Sequence, residues 1–126
     1  MTLSKVDQNE LPEYLVPFSV VYMATVAGAT GQVVLVAPGH HPKCRLVKAV
    51  ITSEAYSTAA DVYAIEDGDG NDAATGTQSA TVNTPVTMTL VPGQYFDRNE
   101  AICINRTTVG NAANACFILA QFESID

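Results

Sequence analysis

The stretch Thr87-Met88-Thr89-Leu90-Val91 alternates apolar with small polar side chains and runs directly into Pro92-Gly93. Alternation with a period of two is typical of a β-strand that has one face on a core and the other face exposed or bound to a partner. Proline and glycine then end the strand, because Pro lacks a backbone donor and Gly accepts positive φ. A short β-prone run closed by a turn is the unit from which the rest of the chain is built.

The same unit repeats from residue 18 onward, with turn signals at spacings of roughly 8–12 residues. A chain of 126 residues has room for one domain with a core of its own. We therefore expect an all-β fold, a single jelly-roll-like β-sandwich of about eight short antiparallel strands over residues 18–126. The predicted strands are Phe18 to Ala27, Gln32 to Ala37, Cys44 to Tyr56, Ala60 to Glu66, Gln78 to Asn83, Val86 to Leu90, Ala101 to Asn105 and Ala115 to Glu123.

Residues 1–17 show neither a helical nor a strand period clearly, so they are interpreted as an extended N-terminal arm. This segment holds Asp7, Gln8, Asn9, Glu10, Pro12 and Glu13. They lack the basic start and the 7–15-residue apolar run of a secretory signal. No stretch approaches the ~20 apolar residues that a membrane-spanning helix needs. These features predict a soluble protein made in a cytoplasm.

Charge and hydrophobicity narrow the class of partner. The formal net charge of -7 repels nucleic acid and anionic lipid, so neither is an expected partner. The chain is 48% hydrophobic and 15% charged, which leaves little polar cover for a monomer of this size. We expect part of the surface to be buried in a closed, symmetric homo-oligomer.

Two clusters could hold a metal ion. His40-His41 is a loop pair, but a cupin-type metal site needs a third His and this chain has two. The acidic segment 66–72 places oxygen ligands at alternate positions, like a calcium loop, but Asp72 replaces the usual Gly and Gln78 the bidentate Glu. We expect the His residues to be a loop pair of neutral or partly protonated imidazoles, with adventitious or subunit-axis metal binding as the alternative. We expect Asp67, Asp69, Asn71 and Asp72 to form an exposed hairpin turn with at most millimolar calcium affinity.

The cysteines and the basic residues suggest structural roles. Cys44, Cys103 and Cys116 lie in strand-like runs without C-x-x-C spacing, which favours buried reduced thiols over a disulfide or metal ligation. Alternation places two of the three basic residues Lys43, Arg45 and Lys48 on one strand face and the third on the other. They form either a solvated edge or a contact for an acidic partner.

Catalysis is not expected. The chain lacks G-x-S-x-G, and the two His residues share one loop with no carboxylate within five residues. No catalytic, cofactor-binding or metal-binding residue is predicted, and a cupin-like enzyme is the weakest of the readings for want of ligands.

The order of strands and turns resembles small β-sandwich proteins of tailed-bacteriophage virions, over residues 18–123. The resemblance rests on four segments, which are Gly31 to Pro38, Asp61 to Tyr63, Thr87 to Gly93 and Ala101 to Asn105 with a Gly-Asn turn after it. It implies a capsid decoration or cement protein, a homotrimer at the local symmetry axes of an expanded capsid that binds the major capsid protein on the outer virion surface.

In such proteins the N-terminal arm reaches over neighbouring capsid subunits, and we expect Tyr14, Leu15 and Phe18 to be its apolar contacts. Many weak contacts repeated over a shell would add up to a firm attachment. The alternative is a phage tail, head-fibre or receptor-binding jelly roll that grips a host glycan. The absence of Trp and the presence of five Tyr lower that alternative, because sugar sites favour exposed aromatic rings.

Overall fold

The computed structural model describes residues 17–24, 30–53, 61–81, 83–108 and 116–125. Among these residues no helix is long and apolar enough to cross a membrane. They form nine β-strands, which are β1 (Pro17–Ala24), β2 (Gly31–Val36), β3 (Cys44–Ser53), β4 (Val62–Asp67), β5 (Asp72–Thr77), β6 (Pro85–Thr87), β7 (Thr89–Leu90), β8 (Ile102–Thr108) and β9 (Cys116–Ser124).

The strands pair into two sheets, with the orders β1-β9-β3-β6 and β2-β8-β4-β5-β7. Every pairing is antiparallel. Strands β6 and β7 belong to one run that crosses between the sheets at Met88, so they count as a single strand of the topology. The remaining order is that of an eight-stranded double-sheet jelly roll, which confirms the predicted fold.

The core lies between the two sheets and is built from alternate residues of each strand. On β9 the even-numbered residues from Cys116 to Ser124 are buried, and the odd-numbered residues between them face outward. Strand β4 is covered on both faces, since five of its six residues are buried. The core side chains include Leu46, Ile51, Tyr63, Ile65, Phe96, Ile102, Ile104, Ile118 and Phe122.

The fifth strand lies earlier in the chain than the sequence predicts. The predicted strand Gln78 to Asn83 was wrong, because the strand is Asp72–Thr77 and the described residues after it form bends and a turn. Its small residues resemble a loop, but they are needed for packing. A Cβ atom added at Gly76 would lie 2.9 Å from Met88 Cγ and 3.2 Å from Ile51 Cδ1. Strand β5 therefore has small residues because Met88 and Ile51 pack closely against it.

A β-bulge in β3 changes which side chains share a face. The register with β9 shifts between Leu46 and Lys48, and Val47 is left outside the ladder. Arg45 and Lys48 consequently both face outward, opposite Glu123 and Gln121 respectively. Simple alternation places them on opposite faces, and that expectation was wrong because a bulge adds one residue to the count.

Candidate interaction surface

The predicted arm joins the body at the outermost strand of the four-stranded sheet. Pro17, which alternation assigns to the arm, is already the first residue of β1 and pairs with Glu123 of β9. The contacts predicted at Tyr14 and Leu15 lie outside the described residues. Phe18, the third predicted contact, is described and is tied to the core. Residues 1–16 therefore precede a strand that is itself at a sheet edge.

Phe18 belongs to a short aromatic stack. Its ring lies parallel to that of Phe122, with centroids 4.9 Å apart and an interplanar angle of 9°. Phe96 meets the same Phe122 ring edge-on at 6.0 Å. Because Phe122 is buried and Phe18 only partly so, the stack links the start of β1 to the centre of the sandwich. Phe18 thus has a packing role, and its predicted contact with a partner stays a prediction.

A shallow depression of about 390 Å³ opens beside this stack. Aromatic and aliphatic surface from Phe18 and the bulged Val47 lies next to the polar groups of the β9 end. Val47 is 47% exposed. The complete lining is Phe18, Ser19, Val47, Gln121, Phe122 and Glu123. Such a mixed lining fits a peptide segment, with apolar side chains seated between main-chain hydrogen bonds.

The basic residues near the depression are only partly free to bind an acidic partner. Arg45 forms an ion pair with Glu123 on the outer face. Lys43 lies over the ring of Tyr95, with Nζ 4.8 Å from the centroid. Lys48 is exposed beside Gln121 and is the basic residue of this group for which no such contact is described. The surface can accept a carboxylate, but it is not a strong anion site.

The acidic segment forms the predicted β4–β5 hairpin, but one carboxylate is buried inside it. Asp67 is 6% exposed, and its Oδ1 accepts the backbone N–H groups of Asp69 at 2.9 Å and Asn71 at 3.0 Å. Its Oδ2 accepts a hydrogen bond from Asn71 Nδ2 at 2.9 Å. The prediction of an entirely exposed tip was therefore wrong at Asp67, because this side chain organises the turn.

These hydrogen bonds decide the ionisation of Asp67. Burial alone would raise the pKa of the carboxyl, but the hydrogen bonds donated by Asn71 and Asp69 favour the charged form and lower the pKa overall. The group of oxygens needed for a cation is not assembled, and the described residues contain no cluster of three or more His, Cys, Asp or Glu suited to a metal. The Asp67 carboxylate therefore accepts its hydrogen bonds from residues of the hairpin itself.

A polar cluster lies on the outer face of the five-stranded sheet. Glu66 Oε1 accepts hydrogen bonds from Gln32 Nε2 at 2.7 Å and from Asn105 Nδ2 at 3.0 Å. Cys103, opposite Glu66 in the β4–β8 ladder, is fully buried. Burial, followed by the negative charges of Glu66 and Asp67, raises the pKa of the Cys103 thiol. The cluster joins three strands through amide donors and leaves this thiol unreactive.

All three cysteines are buried and free, as the strand-like positions predict. Burial raises the pKa of the Cys44 thiol to about 12. A thiol with so high a pKa is a poor nucleophile and a poor metal ligand, because both roles need the thiolate. These side chains act as small apolar core residues.

The His pair lies in the connection between β2 and β3, as predicted, but the two rings differ. His40 is exposed, whereas His41 is 7% exposed. His41 Nδ1 lies 2.7 Å from the Pro42 carbonyl oxygen, and its Nε2 lies 2.6 Å from the Glu100 carbonyl oxygen. Both ring nitrogens face protein acceptors, so His41 joins two loops. The sequence does not predict this role, because Glu100 lies far from His41 along the chain and no local pattern connects the two.

A buried ion pair joins β8 to the residue before β4. Arg106 Nε lies 3.2 Å from Asp61 Oδ2, and Asp61 is fully buried. Arg106 also donates to the Tyr63 hydroxyl, from Nε at 2.9 Å and Nη2 at 2.7 Å. Burial raises the pKa of the Tyr63 hydroxyl, and Cys116 contributes in the same direction. Arg106 lowers this pKa, but by less. Two strands and the residue before β4 are locked together by this cluster.

No family model, curated protein sequence or solved structure matches this chain.

Proposed function

We propose that this protein is a structural component of a virion, a homotrimeric decoration protein that binds the outer surface of an assembled capsid and stabilises it. The observation that carries the proposal is the junction at Pro17, where residues 1–16 run into an edge strand beside the depression at Phe18 and Val47. An arm that starts beside this depression, at the edge of the sandwich, can reach from one subunit to the next.

The physical argument for such a role is additive attachment. A single arm buries little surface and binds weakly, but copies joined in one oligomer bind together and dissociate slowly. Extended segments bind by adding a strand to a sheet edge, with main-chain hydrogen bonds for affinity and alternate side chains for specificity. Tyr14, Leu15 and Phe18 are the side chains that we assign to this contact with the major capsid protein.

The buried polar groups of the described residues support a structural role over a catalytic one. The Asp61–Arg106 pair, the Glu66 amide cluster and the Asp67 turn are each satisfied by protein partners. Groups arranged in this way stabilise one conformation, and none of them opens onto the depression at Phe18. We expect neither a cofactor nor a substrate.

The second candidate is a fibre or receptor-binding module that grips a glycan. Tyr95 is the observation in its favour, because its side chain is 46% exposed and could stack on a sugar ring. One face of that ring already carries the Lys43 ammonium group. We therefore place this candidate second.

Co-sedimentation with empty expanded capsids of the phage that carries the gene tests the proposal. The full chain should sediment with the shells, and a variant lacking residues 1–16 should stay largely in the supernatant. A body-surface variant such as Val91→Lys, at an exposed position in the loop after β7, serves as the matched control and should bind like the full chain. Binding that does not depend on the arm would move the attachment to the sandwich, and no binding to any shell would contradict the proposal.

A further inference from the structure

The two lateral sides of the sandwich are built differently. Strand β3 packs on β5 and β7, and β6 packs on β5, so the sheets are stacked with β6 and β7 at one side and β1 and β2 at the other. We call these sides the closed flank (β6, Met88 and β7) and the open flank (β1 and β2). Met88 closes its side by crossing between the sheets, with its N–H donating to the Ala49 carbonyl at 2.8 Å.

The edges of the closed flank are protected in the usual ways. Strand β6 has three residues and begins with a proline, and β7 has two residues. Very short strands and edge proline prevent pairing with other chains.

The edges of the open flank are longer, although β1, like β6, begins with a proline. Strand β1 has eight residues and β2 has six, and among the described residues each has a neighbouring strand on one side only. Val33 is 44% exposed and Val34 is 55% exposed. The one protective device on β2 is the bulge between Val34 and Val36. Long, uncharged edges with exposed β-branched residues are the surfaces that pair with another strand.

Charge distribution indicates which partner fits the open flank. The chain has 6 basic and 13 acidic residues, yet residues 14–42 contain no Asp, Glu, Lys or Arg. Both open-flank strands and everything between them lie in this uncharged segment. Two copies with a net charge of -7 repel each other, and these two strands add no charge of their own to that repulsion. The flank offers no charge to attract a differently charged partner, so a second copy is the occupant it suits.

Strand direction favours the same occupant. Strands β6 and β7 run the same way because one follows the other, and each ladder reverses direction at every step. Strand β1 lies three steps from β6 in its sheet and β2 lies four steps from β7 in the other, so β1 and β2 run in opposite directions. Rotation about an axis parallel to the strands preserves this relation between copies, so β1 of one copy can meet β2 of the next as an antiparallel pair.

We propose that the open flank is the surface through which copies of this chain associate, with β1 of one copy pairing with the edge of β2 of the next. A rotation that closes gives a ring in which every copy has both edges paired. The inference rests on the homo-oligomer of the proposed function, but not on its attachment to a capsid.

Sedimentation velocity of Val34→Lys tests the inference, because an edge lysine blocks strand addition. The native protein should sediment as an oligomer, and Val34→Lys should weaken association at least tenfold and give monomers with an unchanged β-sheet circular dichroism spectrum. The matched control is Val91→Lys, which makes the same change at a 36% exposed valine after β7 and should leave the oligomer intact. If Val34→Lys failed to fold, Val33→Lys on the other face of the same edge would repeat the test.

An intact Val34→Lys oligomer would overturn the assigned surface, as would dissociation caused by Val91→Lys. A native monomer would also overturn it. Capsid co-sedimentation of the same variants keeps the two proposals separate. A monomeric Val34→Lys protein that binds shells more weakly supports both proposals. A native protein that forms an oligomer but does not bind shells would count against the proposed function alone.

Discussion

Arg106 on β8 lies 3.2 Å from the fully buried carboxylate of Asp61, the residue that immediately precedes β4. The same guanidinium donates two hydrogen bonds to the Tyr63 hydroxyl. A buried ion pair of this kind contributes little net stability compared with an apolar pair, but loss of one partner leaves a charge in the core. Replacing Arg106 should therefore destabilise the fold.

Arg106→Met should lower the free energy of unfolding by about 3–5 kcal/mol, because it removes the guanidinium that is paired with the buried Asp61 carboxylate. The double variant Arg106→Met with Asp61→Asn should recover part of that loss. Chemical denaturation followed by circular dichroism measures both. The control is Arg45→Met, which breaks the exposed pair with Glu123 and should cost about 0–1 kcal/mol. Equal losses at Arg106 and Arg45 would contradict the buried-pair account.

Gly76→Ala should lower the free energy of unfolding by about 1–3 kcal/mol, because the added methyl group would overlap Met88 and crowd Ile51. Gly68→Ala is the control, since a Cβ there meets Ala101 Cβ at an ordinary 3.7 Å. Thermal melts of the two variants provide the comparison. A neutral Gly76→Ala would mean that β5 is not pressed against Met88.

The lowered pKa of Asp67 predicts how stability depends on pH. A carboxyl group whose pKa is lower in the folded than in the unfolded state stabilises the fold above the unfolded value, near 3.9, and loses that contribution as pH falls through the folded value. Asp67→Asn should therefore cost about 1–2 kcal/mol at neutral pH, and the difference from the native protein should shrink below about pH 4. Asp69→Asn, at an exposed position in the same turn, is the control and should change the free energy of unfolding by less than about 0.5 kcal/mol.

The Phe18–Phe122 stack predicts where the chain can be shortened. Deletion of residues 1–16 should leave the melting temperature nearly unchanged, because the core cluster and all nine described strands begin at Pro17 or later. Phe18→Ala should lower the free energy of unfolding by about 2 kcal/mol, because it removes a partly buried ring stacked on Phe122. A large loss on deleting residues 1–16 would show that the segment is part of the fold.

The sequence was sufficient for the fold class because strand periodicity and turn residues are local signals. Features that depend on distant partners could not be predicted. Gly76 resembles a loop residue until Met88 is placed over it, and the bulge at Val47 reverses the faces of the residues that follow. His41 is similar, since its acceptor at Glu100 lies far along the chain. Phe18 could be recognised in the sequence as an apolar residue at the arm junction, but its stack on Phe122 could not.

The copy number of this protein in purified virions tests the central claim most directly. Quantitative mass spectrometry of intact particles compares its abundance with that of the major capsid protein. A decoration protein that sits on axes all over the shell should be present in numbers comparable to the major capsid protein. A few copies per particle would contradict that account and favour a fibre or tail component, and absence from purified particles would contradict a virion role altogether.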